Sequence, residues 1–203
     1  KLLTIDQQIA DILTSKLYRK QKYHFYFYPE IKKFLDGTMK KKIEGIIDLT
    51  CNRNIGIFKQ KRQNGVNTDL LCELIRNDSI DEFLKKFDTK IMNFDTLVIK
   101  SRFETDKFLF QNYPSLIQYA AFYGAVKIVK YYLNKKIDYD SSLWIYAIRG
   151  NRFEIIHLLE EKRIKPKNIF ECLKNSIQCH HNEMTNYILS EKIEKPKIVF
   201  QLK

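Results

Sequence analysis

Few residues in this 203-residue chain have both the type and the spacing for chemistry. Cys172, Cys179, His180 and His181 lie close together and are the soft donors that hold zinc. Their spacing gives neither the CxxC nor the HxxxH pair that sets two ligands on one ion. With Cys51 and Cys72 they read as reduced, half-buried thiols and helix-end histidines, and we expect no metal and no cofactor. His157 sits among Ile155, Ile156, Leu158 and Leu159, where a packing role is simpler than that of a general base. Glu160-Glu161 reads as a solvated pair. No GxxxxGK[ST], GxSxG or HExxH pattern occurs. Without a nucleophile, a phosphate loop or a ligand set, no catalysis is expected.

Charge is the next source of chemistry. The net charge is +12, but only eight of the 36 basic residues are arginine. A lysine-rich solvated face accounts for most of that excess. Residues 1–69 carry 14 basic and 7 acidic side chains, with clusters at Lys16–Lys22, Lys40–Lys42 and Lys59–Arg62. If phosphate is bound anywhere, this segment is where nucleic acid or an anionic surface would be held. The run Tyr23–Pro29 reads as aromatic packing at a junction, with a base-stacking platform as the alternative.

The elements that must carry these residues are written as a repeat. Ile117, Ala121, Gly124, Tyr132 and Leu133 are answered 26 residues later by Leu143, Ala147, Gly150, Leu158 and Leu159. Leu173, Ile177, His180, Ile188 and Leu189 follow after another 30. Leu70, Leu74 and Asn77 precede the first set by 47. Each unit holds two apolar runs at helical spacing: a thin inner helix with alanines, ended by Gly124 or its substitute, and an outer helix such as Ile128–Leu133. Ser115 and Ser141-Ser142 are the N-cap candidates. One such pair has too little apolar face to close a core alone, so the units must stack.

The Ala120-Ala121-x-x-Gly124 run, the Ile128-Val129-Lys130-x-Tyr132-Leu133 run and Asp138 make this pattern resemble the ankyrin repeat. The family's Thr-Pro-Leu-His opening is degenerate, as Ser115-Leu116-Ile117-Gln118 and Ser141-Ser142-Leu143-Trp144. The units are shorter than the family period of about 33 residues. The resemblance is to the divergent ankyrin-like domains of unknown function expanded in some protists. It implies an all-α, ankyrin-type helical repeat solenoid of short helix-turn-helix units with degenerate or missing β-hairpin fingers.

On this reading residues 1–69 form a helical N-terminal region or cap, and residues 70–203 the array. Its units are about 70–87, 115–140, 141–165 and 168–195, with an insertion at 88–113 expected to hold short helical pieces packed on the stack or a decayed repeat. In the N-terminal region Leu3, Ile9, Ile12 and Leu17 recur at helical spacing, and Pro29 is expected to open a short helix ended by Gly37. The missing initiating Met, and an end at Ile198–Phe200 where another unit would begin, read as a piece of a longer protein. No apolar run reaches the 18 residues of a membrane span, so no membrane insertion is expected. A cytoplasmic location is expected, with a nuclear one left open.

In such folds the inner helices line a concave groove that docks partners, again by the resemblance. The inner-helix side chains expected there are Arg76 and Ser79, then Tyr119, Phe122 and Tyr123, then Ile145, Arg149 and Arg152, then Asn175, Gln178 and Asn182. Trp144 reads as core. Arginine and aromatic side chains together are the composition of interface hot spots. The expectation is a non-catalytic intracellular scaffold for a protein partner, with nucleic-acid or anionic-surface binding through the lysine-rich N-terminal segment as the alternative.

Overall fold

The computed structural model describes residues 8, 21–86, 94–98, 100–135 and 141–193. The helix expected through Leu3, Ile9 and Leu17, most of the Lys16–Lys22 cluster, Phe87, Met92, Asp138 and Ile198–Phe200 lie outside them. The described residues form α-helices, one 3-10 turn and a single isolated bridge, without a β-strand. The fold class is all-α. The chain divides into two compact units, Lys1–Thr68 with Lys100–Gln111, and Asp69–Ile99 with Asn112–Lys203.

In the first unit α1 (Gln21–Tyr26), α2 (Tyr28–Ile31) and a 3-10 turn (Lys32–Phe34) lead to α3 (Gly37–Cys51) and α4 (Ile55–Asn64). Gly37 therefore opens a helix rather than closing one. Asp36 before it accepts from the Met39 amide at 2.8 Å, satisfying an N-terminal donor that has no partner inside the helix. Asn54 caps α4 likewise, and Gly65 ends it with φ 65°. The core gathers Phe25, Tyr28, Ile31, Leu35, Ile43, Ile47, Cys51, Phe58 and Phe103. Phe25 meets Phe58 and Phe103 edge-to-face at 5.1 and 5.3 Å, the arrangement ring quadrupoles favour.

Residues 100–111 group with this unit, not with the repeats as expected. Backbone pairing explains it. The Thr105 amide and hydroxyl both donate to Gly65 O, at 2.9 and 2.7 Å. The buried Glu104 carboxylate accepts from the Asn67 and Asp106 amides. The short helix α5 (Lys107–Asn112) follows.

The described residues of the second unit form four helix pairs. They are α6 (Leu70–Arg76) with α7 (Ile80–Lys86), α8 (Leu116–Tyr123) with α9 (Val126–Lys135), α10 (Leu143–Arg149) with α11 (Phe153–Glu161), and α12 (Ile169–Gln178) with α13 (Asn182–Glu191). The inner helices α6, α8, α10 and α12 pack one on the next, and the outer helix α9 packs on α11. Ser115 and Gln118 form a full capping box on α8, which gives Gln118 a local structural reason. Ser142 occupies the N-cap position of α10 but makes no cap hydrogen bond. Its hydroxyl accepts instead from Gln118 Nε2 of the preceding pair, at 2.9 Å. Residues 94–98 form a turn, a bend and an isolated bridge from Leu97 to Ser115 rather than a helix. Thr96 O and Phe94 O accept from Leu116 and Ile117, supplying α8 with acceptors for its first amides.

The four turns between paired helices are alike. Ser79 N donates to Leu74 O, Ala125 N to Ala120 O, Arg152 N to Ala147 O and His181 N to Ser176 O, at 2.8–3.0 Å. The residue before each donor is left-handed: Asp78, Gly124, Asn151 and His180, with φ of 49°, 76°, 56° and 56°. This is the 6→1 helix-ending bond of a Schellman turn. It sets the register as Leu74, Ala120, Ala147 and Ser176, in steps of 46, 27 and 29 residues, where the sequence pattern reads 47, 26 and 30. The one-residue difference traces to Asn77 and Gly150. Asn77 (φ −86°) and Gly150 (φ −80°) are right-handed and precede the left-handed residue. Gly150 is small for another reason: a Cβ there would lie 1.9 Å from Phe122 O of the neighbouring pair.

Candidate functional site

The register puts Arg76, Phe122, Arg149 and Gln178 at one position of successive inner helices. Glu73, Tyr119, Tyr146 and Asn175 share the position one turn before. Two of the three steps carry the same bond between these rows. Arg76 Nη1 donates to Tyr119 Oη at 2.8 Å, and Arg149 Nε donates to Asn175 Oδ1 at 2.5 Å. Arg149 Nη2 reaches Gln178 Oε1 at 3.3 Å. A second rung links two of the turns to the inner helix before them. Arg152 Nε donates to Phe122 O at 3.2 Å, and His181 Nε2 lies 3.1 Å from Arg149 O at the equivalent place one pair later. Tyr123 packs on Tyr119 and Phe122, with ring centroids 4.6 and 5.2 Å away, and the Arg76 guanidinium stands 5.8 Å from its ring centre.

These placements revise several expectations. Tyr119 is 1% exposed, so it is a core residue whose hydroxyl accepts from Arg76. Asn175 is buried as well; its amide also donates to Glu171 O. Asn182 is the first residue of the outer helix α13, and Arg152 is the exposed residue that precedes the outer helix α11. Neither lies on an inner helix, because the turn intervenes. Of the inner-helix side chains expected in the groove, Arg76, Phe122, Tyr123, Ile145 and Arg149 are half-buried, and Gln178 is exposed. Arg76, Phe122, Arg149 and Gln178 form one row, with Tyr123 and Ile145 beside it, and the arginines and Gln178 already bond between neighbouring pairs. Trp144 is buried, and its Nε1 donates to Ile164 O at 2.9 Å.

The cysteines and histidines do not converge. Among the described residues no group of three His, Cys, Asp or Glu is placed to hold a metal ion. Burial, and then the Glu171 charge, push the Cys172 thiol up to about 12, which keeps it protonated and inert. The outer helices hold a tighter polar cluster that the sequence pattern missed. Glu160 Oε1 accepts from Lys192 Nζ and Tyr187 Oη, both at 2.6 Å, and Oε2 lies 3.3 Å from His157 Nδ1. Burial by itself raises the Glu160 carboxyl, but the bonds from Lys192, Tyr187 and His157 outweigh it and hold the group below its ordinary range. The bond to Glu160 in turn raises Lys192. The signal was the spacing of Glu160 and Tyr187, one helix pair apart on the outer face. Glu160-Glu161 is thus not simply a solvated pair, since Glu160 is partly buried and bonded.

In the first unit the basic clusters are partly consumed. Arg62 makes a two-pronged pair with Glu30, at 2.5 and 2.6 Å, and also donates to Tyr26 O. Lys61 donates to Thr50 O. Lys41, Lys42 and Lys59 are exposed. Of the aromatic run, Phe25 and Tyr28 are buried in the core, and Tyr26, half-buried, donates to Arg62 O. Burial also lowers the affinity of His24 for a proton, and its Nδ1 has no hydrogen-bond partner.

No family model, no curated protein and no solved structure matches the chain. Among the described residues no helix is long and apolar enough to cross a membrane.

Proposed function

We propose that the second unit is an ankyrin-like helical solenoid that binds a protein partner, without catalysis, through the row Arg76, Phe122, Tyr123, Ile145, Arg149 and Gln178. One observation carries the reading: the same turn and the same inter-pair bonds recur at equivalent positions, so the row is held on inner helices whose register is fixed. A rigid row costs little ordering entropy on docking, and its arginine and aromatic content is that of interface hot spots. The recurrence also supports the repeat architecture. A cytoplasmic scaffold fits this reading.

The alternative is binding of nucleic acid or an anionic surface by Lys41, Lys42 and Lys59. It is weakened by the internal use of Lys61 and Arg62. The test is capture of partners from lysate with and without nuclease, using wild type and a Tyr123→Ala/Gln178→Ala variant, with thermal unfolding of both recorded alongside. A defined protein that survives nuclease and is lost in a variant that still unfolds cooperatively supports the row. Capture that vanishes with nuclease, falls steeply with salt and ignores the variant supports the lysines.

A further inference from the structure

The first unit presents apolar side chains at the tip of the α3–α4 hairpin, outside its own core. On α3 the core residues Ile43, Ile47 and Cys51 recur one turn apart and are buried. Leu49, two residues beyond Ile47, falls about 200° round the helix from it, on the opposite side. At 86% it is the most exposed large hydrophobic side chain among the described residues. Ile55, the first residue of α4, is 51% exposed. Both lie within one turn of the short loop, Asn52 to Asn54, that joins the two helices. The backbone of that loop is already satisfied. Arg53 N donates to Asp48 O, Asn54 N to Cys51 O, and the Gly56 and Ile57 amides to Asn54 Oδ1. Lys61 Nζ closes the end of α3 on Thr50 O. A tip whose amides are paired internally loses few hydrogen bonds when it leaves water.

Charge indicates what meets this tip. Residues 37–64 hold seven basic side chains against Glu44 and Asp48, a net of +5. Lys42, two turns before Leu49 on the same stripe of α3, is exposed, as are Arg53 in the loop and Lys59 one turn into α4. Of the two acids, Asp48 stands 3.8 Å from Arg53 and Glu44 accepts from the Tyr28 hydroxyl. We propose that the hairpin tip rests on an anionic lipid surface, with Leu49 and Ile55 in the acyl boundary and Lys42, Arg53 and Lys59 against the headgroups. A phosphate backbone would engage the cations but leave Leu49 in water, whereas a bilayer surface takes both. The contact is peripheral and needs no spanning helix. It gives the exposed cations of the first unit a role beside the inner-helix row, and it stands whether or not that row binds a protein.

The test is sedimentation of the full chain with vesicles of phosphatidylcholine alone and of phosphatidylcholine mixed with phosphatidylserine. Binding is expected to the mixed vesicles only, and to weaken as salt rises. Leu49→Ser, at a position exposed in the fold, should leave the thermal melt unchanged and weaken vesicle binding about tenfold or more. Lys42→Gln/Lys59→Gln should also weaken it about tenfold or more, since each lysine near such a surface contributes about a factor of five. In Leu49→Trp, emission should be quenched by brominated acyl chains, while the buried Trp144 of the wild type is not. No sedimentation with the mixed vesicles overturns the proposal. Binding that Leu49→Ser leaves unchanged also overturns it and assigns the contact to charge alone. Preference for a single-stranded RNA of random sequence over the mixed vesicles overturns it too, and assigns the cations to nucleic acid.

Discussion

Replacing Gly150 with alanine should destabilise the second unit more than the same change at Gly124, although only Gly124 has a backbone angle that favours glycine. At Gly150 φ is −80°, so alanine meets no conformational penalty. Its Cβ, however, would lie 1.9 Å from Phe122 O, 2.8 Å from Phe122 C and 3.1 Å from Phe122 Cα. To reach even 3.0 Å from that oxygen, the α8 and α10 backbones must part by about 1.1 Å. Both partners are main chain at helix ends, so no rotamer change relieves the contact. The displacement would also stretch the Arg152 Nε to Phe122 O bond. Overpacking typically costs about 1–3 kcal/mol, and a main-chain contact this close with no rotamer relief belongs at or above the top of that range. At Gly124, φ of 76° costs alanine about 1–2 kcal/mol, and its Cβ meets only the Arg152 side chain, which can swing away. Urea titrations followed by circular dichroism, with m-values compared, measure both changes. If Gly150→Ala unfolds at the wild-type midpoint, or is milder than Gly124→Ala, the close approach of neighbouring pairs is wrong.

Asp78 is the left-handed turn residue of the first pair, and its carboxylate accepts from Lys127 N and Ile128 N at the start of α9. Asp78→Ala should cost about 1 kcal/mol in the same titration, as lost helix caps do. His24 has a folded proton affinity below its ordinary 6.5, so the unfolded chain binds the proton more tightly. Stability of the first unit is therefore complete above pH 6.5 and falls as pH drops through the lower folded value, and His24→Leu should flatten that slope in thermal melts across the range. Glu160 is depressed and Lys192 raised, so the stability of their cluster is present between Glu160's ordinary 4.5 and Lys192's ordinary 10.5. It is lost as pH falls through the folded Glu160 value or rises through the folded Lys192 value. Glu160→Gln should lower stability at neutral pH and remove the acid-side loss attributable to this group.

The helix pairs were legible because apolar spacing is a direct consequence of helical geometry. Ile128, Val129, Tyr132 and Leu133 are all buried on one outer helix, as their spacing requires. The register was legible to within one residue, and the error is instructive. Aligning Gly124 with Gly150 assumes that glycine marks the left-handed residue. Here Asn151, His180 and Asp78 take that conformation, and Gly150 serves a close approach that only the packed neighbour reveals. The exposure of Tyr119 and Asn175 was misjudged for a related reason. Helical spacing gives a face, but the bonds from Arg76 to Tyr119 and from Arg149 to Asn175 cross between pairs that lie 43 and 26 residues apart. Residues 100–111 joined the first unit through Thr105 and Glu104, side chains that bond to distant backbone and leave no periodic trace.

The central claim is that the inner-helix row, and not the outer face or the lysines of the first unit, meets a partner. Site-specific photocrosslinking tests it directly. A photoreactive phenylalanine analogue is placed at Phe122 in one protein, at exposed Lys130 of the outer helix in a second and at exposed Lys42 in a third. Each is irradiated in lysate after nuclease treatment. The account predicts one discrete crosslinked protein from position 122 and none from positions 130 and 42. The same crosslinked protein from position 130 or 42, with position 122 silent, would contradict it.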